Sequence, residues 1–185
     1  HAPGGHIGGS YSVIDILTAL YYEVLRHDPK NPEWEGRDYL ILSKGHCCLA
    51  LYAILEKTGY FDFSYLRSYC DNGGKLGGHP KRGDAPGIEA TTGSLGHGLS
   101  IGNGIAMAYK IQKKSNHIYV VLGDGEMNEG SVWEALMFAS QQSLDNLTII
   151  FDNNKLESLD HTNNILSIEP LEERLHSFNW NVKRI

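Results

Sequence analysis

No stretch of the 185-residue chain comes near the roughly 18 consecutive apolar residues that a membrane-spanning helix requires, so no transmembrane segment is expected. Cysteine is scarce as well. Only Cys47, Cys48 and Cys70 are present, and an odd count with two neighbours suits neither a disulfide framework nor a paired-cysteine zinc site. The expectation is buried thiols in a reducing cytoplasm. A formal net charge of −6 argues against non-specific nucleic-acid binding, which leaves any phosphate recognition to local features. No charged-then-apolar leader precedes a cleavage site, although the chain starts at His1 without a Met and so reads as compatible with trimming. Repeats, linkers and low-complexity tracts are lacking too, and the length suits one full hydrophobic core, so residues 1–185 are read as one domain.

Glycine, by contrast, is abundant. The 21 glycines gather near positions 4–9, 73–104 and 123–130, which marks particular loops and not general disorder. Between them the apolar pattern alternates. Ile14, Leu17, Tyr21 and Leu25 recur at helical spacing, with Ser12 as the expected cap and Asp28-Pro29 as the stop. Tyr39 to Leu42 is a short apolar run of strand length, leading into Ser43-Lys44-Gly45-His46. Helices are expected from Cys48 to Lys57, stopped at Gly59, and from Ser64 to Asp71. Residues 72–94 read as a long functional loop. A further helix is expected from Gly96 to Lys113, its glycines at 98, 102 and 104 implying close backbone packing.

Ile118 to Leu122 and Leu147 to Phe151 are continuous apolar runs separated by one helical stretch, a βαβ unit in a parallel sheet buried on both faces. A helix around Leu171 to Phe178 and a strand from Asn181 to Ile185 extend the alternation, and that ending suggests a domain incomplete at its C-terminal side. The fold class expected is α/β, a mostly parallel central sheet flanked by helices.

The first strand of that unit runs into Gly123-Asp124-Gly125 and the second into Asn153-Asn154. Ligands of open parallel sheets bind beyond the carboxyl ends of the strands, where parallel neighbours bring both segments to one edge. A carboxylate from Asp124, an amide oxygen from Asn154 and nearby carbonyls make a partial oxygen shell for Mg²⁺, which typically takes one or two carboxylates plus substrate phosphates. Flanking glycines permit close approach, and a helix beginning near Gly130 can aim its N-terminus at an anion. An ordinary β-α turn with a helix-capping Asp is the rival reading.

Four segments carry a resemblance to a known family: "GGHIGGSYSVIDILTALYYEVLRHDPKNPEW", "LSKGHCCLALYAIL", "GGHPKRGDAPGIEATTGSLGHGLS" and "GDGEMNEGSVWEA". In this order, together with GDG followed by NN, they resemble the N-terminal, thiamine-diphosphate-binding half of transketolase, over nearly the whole chain. The resemblance implies the three-layer fold of thiamine-diphosphate enzymes, with Mg²⁺, or another divalent cation such as Ca²⁺, held on the diphosphate by Asp124, the Asn154 side chain and the Leu156 carbonyl. It implies that the Gly125 backbone contacts the diphosphate and that Gly93 and Leu95 lie beside the cofactor. His6, His46 and His79 match histidines around the thiazolium and the donor sugar. Glu129 and Glu134 match glutamates that link paired active sites across a homodimer, which makes Glu129 a further catalytic and cofactor-side candidate.

The implied reaction is transfer of a two-carbon ketol unit between sugar phosphates in the cytoplasm. A separate half supplies the pyrimidine-binding domain, in a homodimer or an α2β2 assembly; a shortened chain is the other explanation for its absence. A non-catalytic binding or assembly protein of the same fold is the alternative function. A nucleotide-binding Rossmann domain is weaker, because no GxGxxG follows the first strand. Three positions depart from the family: Ile7 where proline is usual, His97 where glutamine is common, and Asp160 where glycine is frequent. The remaining histidines at 27, 117, 161 and 176 read as surface or satisfied core residues, and Lys81-Arg82 as an exposed charge pair.

Overall fold

The computed structural model describes residues 4–185. Helix α1 spans Ile7–Ala19 and widens into one π turn over Leu20–Val24. Strand β1 (Tyr39–Leu42) follows, then α2 (Cys48–Thr58), the short α3 (Phe63–Arg67), α4 (Gly98–Ile111), β2 (Ile118–Gly123), α5 (Gly130–Gln141) and β3 (Leu147–Asp152). Two small helices, α6 (Thr162–Ile165) and α7 (Leu171–Ser177), complete the described elements. The three strands form one parallel sheet in the order β1-β2-β3, with Tyr39 opposite Ile118 and Ile118 opposite Leu147.

Strand alternation divides the core into two halves, one on each face of the sheet. Leu40, Leu42 and Val121 face α1 and α2 and join Val13, Leu17, Leu51 and Leu55. Ile41, Ile118, Val120 and Leu122 face the other way, onto Leu99 and Ala106 of α4, Val132 and Leu136 of α5, and Leu171 and Leu175 of α7. Helices on both faces of a parallel sheet make the three-layer α/β arrangement.

Several expectations need correction. The first helix starts at Ile7, five residues before its expected cap, so Ser12 lies inside it and its hydroxyl donates to Gly9 O and Asp152 Oδ2. The third helix ends at Arg67, where Ser68 leaves the helical region. Residues 181–185 form no strand; they are mostly exposed and pair with no described strand. β3 is less buried than the pattern implied: Thr148 to Phe151 are half-buried, with Ile150 packed against one half of the core and Ile149 and Phe151 against the other. The glycines of α4 divide. A Cβ on Gly102 would press on Val120 Cγ2 at 2.6 Å, as close packing on the sheet requires, whereas one on Gly104 would meet nothing within 4 Å. Cys47 and Cys48 are buried, but Cys70 is exposed.

Candidate functional site

The β2–β3 register pairs Gly123 with Asp152, so Asp124 and Asn153-Asn154 do emerge at the same edge of the sheet. Asp124 is buried to 5% exposure. Its Oδ1 accepts the Gly125 N–H at 2.9 Å, while its Oδ2 is buried with no partner, as is Asn153 Oδ1. Burial pushes the Asp124 carboxyl above its ordinary range, against the pull of the Gly125 and Lys155 N–H groups and of Lys44. A carboxylate oxygen without a donor costs free energy unless something cationic answers it. A hard divalent cation drawing its other ligands from a bound phosphate fits that corner. Among the described residues no three His, Cys, Asp or Glu side chains form an all-protein metal cage.

Asn154 is exposed, and its Oδ1 accepts the Leu156 N–H at 2.8 Å, leaving the second lone pair of that oxygen free. Leu156 opens a small loop closed by an antiparallel bridge to His161 and by Glu157 N–H donating to Asp160 O. That loop lays Glu157 over Gly125: a Cβ on Gly125 would lie 2.9 Å from Glu157 Cγ. The expected approach to the Gly125 backbone is therefore covered by a carboxylate, a feature the sequence did not disclose.

The three candidate histidines come from three separate loops and converge. His6 precedes α1, His46 lies in the short turn Gly45–Cys47 after β1, and His79 belongs to the long loop before α4. The His6 ring centroid lies 5.2 Å from that of His46 and 6.5 Å from that of His79. Glycines make this convergence sterically feasible. A Cβ on Gly45 would strike the Gly93 nitrogen at 2.7 Å, and one on Gly93, itself at φ +138°, would strike the His79 ring at 2.6 Å. His46 is half-buried, and burial, followed by Lys44, His6 and His79, lowers its pKa from 6.5 to about 4. It is thus a neutral imidazole at pH 7, able to donate from one nitrogen and accept at the other.

Beneath the histidines lies a polar layer that sequence reasoning missed. Lys44 Nζ contacts Asp152 Oδ2 at 2.6 Å and Ser12 Oγ at 3.4 Å, and Ser12 Oγ donates to Asp152 Oδ2 at 2.5 Å. Glu126 turns inward at 2% exposure and accepts from Ser43 Oγ, Gly96 N–H and Gly123 N–H. Burial raises its pKa, and those donors offset the rise in part. Only the placement of Lys44 and Asp152 directly after apolar strands hinted at the first group. No local signal distinguishes Glu126 from an exposed turn glutamate.

Other candidates lie at the rim. Leu95 is half-buried, with its carbonyl 3.1 Å from Nδ1 of the exposed His97. Glu129 and Glu134 are exposed at the start and along the outer face of α5, and Gly96 packs so closely that an added Cβ would lie 2.8 Å from Glu129 Cβ. Lys81 and Arg82 are exposed, as expected of a loop charge pair. His27 bonds Tyr21 O and Tyr60 Oη, and His117 bonds Thr148 Oγ1, so both are satisfied structural residues.

A three-layer α/β domain whose parallel strands end on a carboxylate with a free oxygen, ringed by glycine-packed loops, has the build of a phosphoryl-ligand-binding domain. Comparison with known proteins makes this specific. Residues 1–185 match the family described as transketolase, thiamine diphosphate binding domain. The chain is 44% identical over 181 residues to an apulose-4-phosphate transketolase subunit of Phocaeicola vulgatus, covering 98% of this chain and 64% of that protein. Over 181 residues it is also 44% identical to the 6-deoxy-6-sulfo-D-fructose transketolase subunit SqwG of Clostridium sp., covering 98% and 66%. Transketolase from Leishmania mexicana superposes with a TM-score of 0.90 at 29% identity, covering 96% of this chain and 28% of that one. The chain belongs to the transketolase thiamine-diphosphate-binding family, and it spans about two thirds of the length of the subunit relatives it matches.

Proposed function

We propose that the chain is the thiamine-diphosphate-binding part of a cytoplasmic transketolase that moves a two-carbon ketol unit between a ketose phosphate and an aldose phosphate. In this reading it is a single diphosphate-binding domain, and a separate half supplies the pyrimidine-binding domain, within a homodimer or an α2β2 assembly. The observation that carries the reading is the buried, unpartnered Asp124 Oδ2 at the carboxyl end of β2. Asp124, the Asn154 amide oxygen and the Leu156 carbonyl would hold Mg²⁺, or a stand-in such as Ca²⁺, against the diphosphate, and Gly125, Gly93 and Leu95 would line it.

Bound thiamine diphosphate supplies the carbon nucleophile and the electron sink that ketol transfer needs. The chain's own residues do the rest. His6, His46 and His79 hold the hydroxyls of the sugar's first carbons and carry protons to and from those oxygens, for which a neutral His46 is suited. Glu129 and Glu134, exposed on one side of α5, are free to meet a second copy and so to couple two sites.

The relatives named as individual transketolase subunits support a two-component arrangement. It is tested by assaying the chain with Mg²⁺, thiamine diphosphate and a ketose–aldose phosphate pair, before and after adding a candidate partner half. Turnover that begins only on mixing is the expected outcome. Robust turnover by the chain alone rules the two-component arrangement out, and none after mixing with an authentic partner favours a binding protein without catalysis.

A further inference from the structure

Glu126 occupies an unusual position for a carboxylate. It lies in the turn Gly125–Asn128, two residues past Asp124, yet its side chain points into the protein and is 2% exposed. Among the described residues no lysine, arginine or histidine forms an ion pair with it; the buried Lys44 is committed to Asp152. Its partners are instead hydrogen-bond donors from three segments: the loop after β1, the loop before α4 and the end of β2. Oε1 accepts from Ser43 Oγ and, at 2.9 Å, from Gly96 N–H, while Oε2 accepts Gly123 N–H at 3.3 Å. Ser43 Oγ in turn accepts Gly98 N–H at 3.1 Å, an approach so close that a side chain on Gly98 would collide with Ser43.

Each tethered backbone leads to a different part of the candidate site. Gly123 precedes Asp124, Ser43 stands three residues before His46, and Gly96 follows Leu95. Ser43, Gly96 and Gly123 are far apart in sequence, and the carboxylate is where their segments are joined. We infer that Glu126 is a positioning residue which sets the spacing of the metal-diphosphate corner, the His46 loop and the Gly93–Leu95 segment. This rests on the thiamine-diphosphate reading above. Glu126 does not touch the ligand; it acts through the loops that do. A glutamine in its place could not substitute. Whichever oxygen became –NH₂ would face the Gly96 or the Gly123 N–H, donor against donor, and a Ser43 hydroxyl turned to accept from the amide would still leave that backbone N–H opposed.

The test is calorimetric titration of thiamine diphosphate with Mg²⁺ into wild type, Glu126→Gln and Ser43→Ala, with melting temperatures recorded before and after ligand. Glu126→Gln is expected to weaken binding by about tenfold or more, and Ser43→Ala by about threefold, since two of the three donors remain. In the enzyme completed by its partner half, the apparent constant for the cofactor should rise by more than the KM for the acceptor sugar phosphate, and kcat at saturating cofactor should fall through the displaced His46 loop, a split that general loosening would not produce. A lower melting temperature with wild-type cofactor affinity would make Glu126 merely structural and overturn the inference. Should Glu126→Gln not fold, Ser43→Ala decides by the same criterion; failure of both to fold also overturns it. No binding by wild type would overturn the thiamine-diphosphate reading itself, an outcome distinct from wild-type binding with unaltered variants.

Discussion

Lys44 Nζ lies 2.6 Å from Asp152 Oδ2 with both side chains buried, so the loop after β1 is bridged to the end of β3 across the carboxyl end of β2. The pair is the floor on which the candidate site rests. Replacing a whole buried ion pair with apolar residues can be neutral, whereas removing one partner strands the other charge. Lys44→Met should therefore cost about 3–5 kcal/mol in urea denaturation, and Lys44→Met with Asp152→Leu should recover most of it. Ser12 loses little in the double variant, because its hydroxyl also reaches Gly9 O. Equal instability of single and double variants would show that the pair is not the source of the loss.

His46 should leave a signature in the pH dependence of stability. Its folded pKa of about 4 lies below the ordinary 6.5, mainly because of burial. Between those values the unfolded chain takes up a proton that the folded chain refuses, so stability falls as pH drops through this window and the loss levels off below it. Denaturation midpoints for wild type and His46→Gln at pH 7 and pH 5 measure this, and the variant should lose less. A midpoint near 6.5 in an NMR titration of His46 would contradict the placement of its ring.

Two glycines in neighbouring segments should respond oppositely to alanine. Gly93→Ala forces a Cβ into the His79 ring at a backbone angle of +138° that alanine avoids. It should destabilise by roughly 1–3 kcal/mol and reduce turnover of the assembled enzyme by displacing His79. Gly104 sits in α4 with open space around it, and Gly104→Ala should stabilise by up to about 1 kcal/mol. Thermal unfolding of both variants checks the pair, and a stabilised Gly93→Ala would refute the loop geometry.

Glu157 lies over Gly125, where the diphosphate is proposed to bind. Two negative groups in that space repel by about 1 kcal/mol in a water-like medium, so Glu157→Gln should tighten thiamine diphosphate by roughly fivefold. Weaker binding by the variant would mean that Glu157 helps to order the loop over the ligand instead of opposing it.

Much of the scaffold could be read from residue order. The apolar runs at 39–42, 118–122 and 147–151 each became a parallel strand because burial on a sheet leaves a continuous hydrophobic record. The same strands placed Asp124 and Asn154 at one edge, and glycine-flanked histidines marked the loops that now meet at His6, His46 and His79. What escaped notice was polar and long-range. Glu126 with Ser43 and Lys44 with Asp152 pair residues more than eighty positions apart, and neither periodicity nor propensity carries that information. The start of α1 was missed for a local reason: Gly8 and Gly9 in its first turn disguise a helix that tertiary packing against α2 holds in place.

Calorimetry decides whether Asp124 anchors a metal-bridged diphosphate. Thiamine diphosphate is titrated into wild type and Asp124→Ala, each with Mg²⁺ and with chelator. Wild type should show Mg²⁺-dependent binding, Asp124→Ala none detectable, and Asn154→Ala a smaller loss, since a neutral amide oxygen contributes less to a hard cation than a carboxylate. Undiminished, Mg²⁺-dependent binding by a folded Asp124→Ala would contradict that role for Asp124.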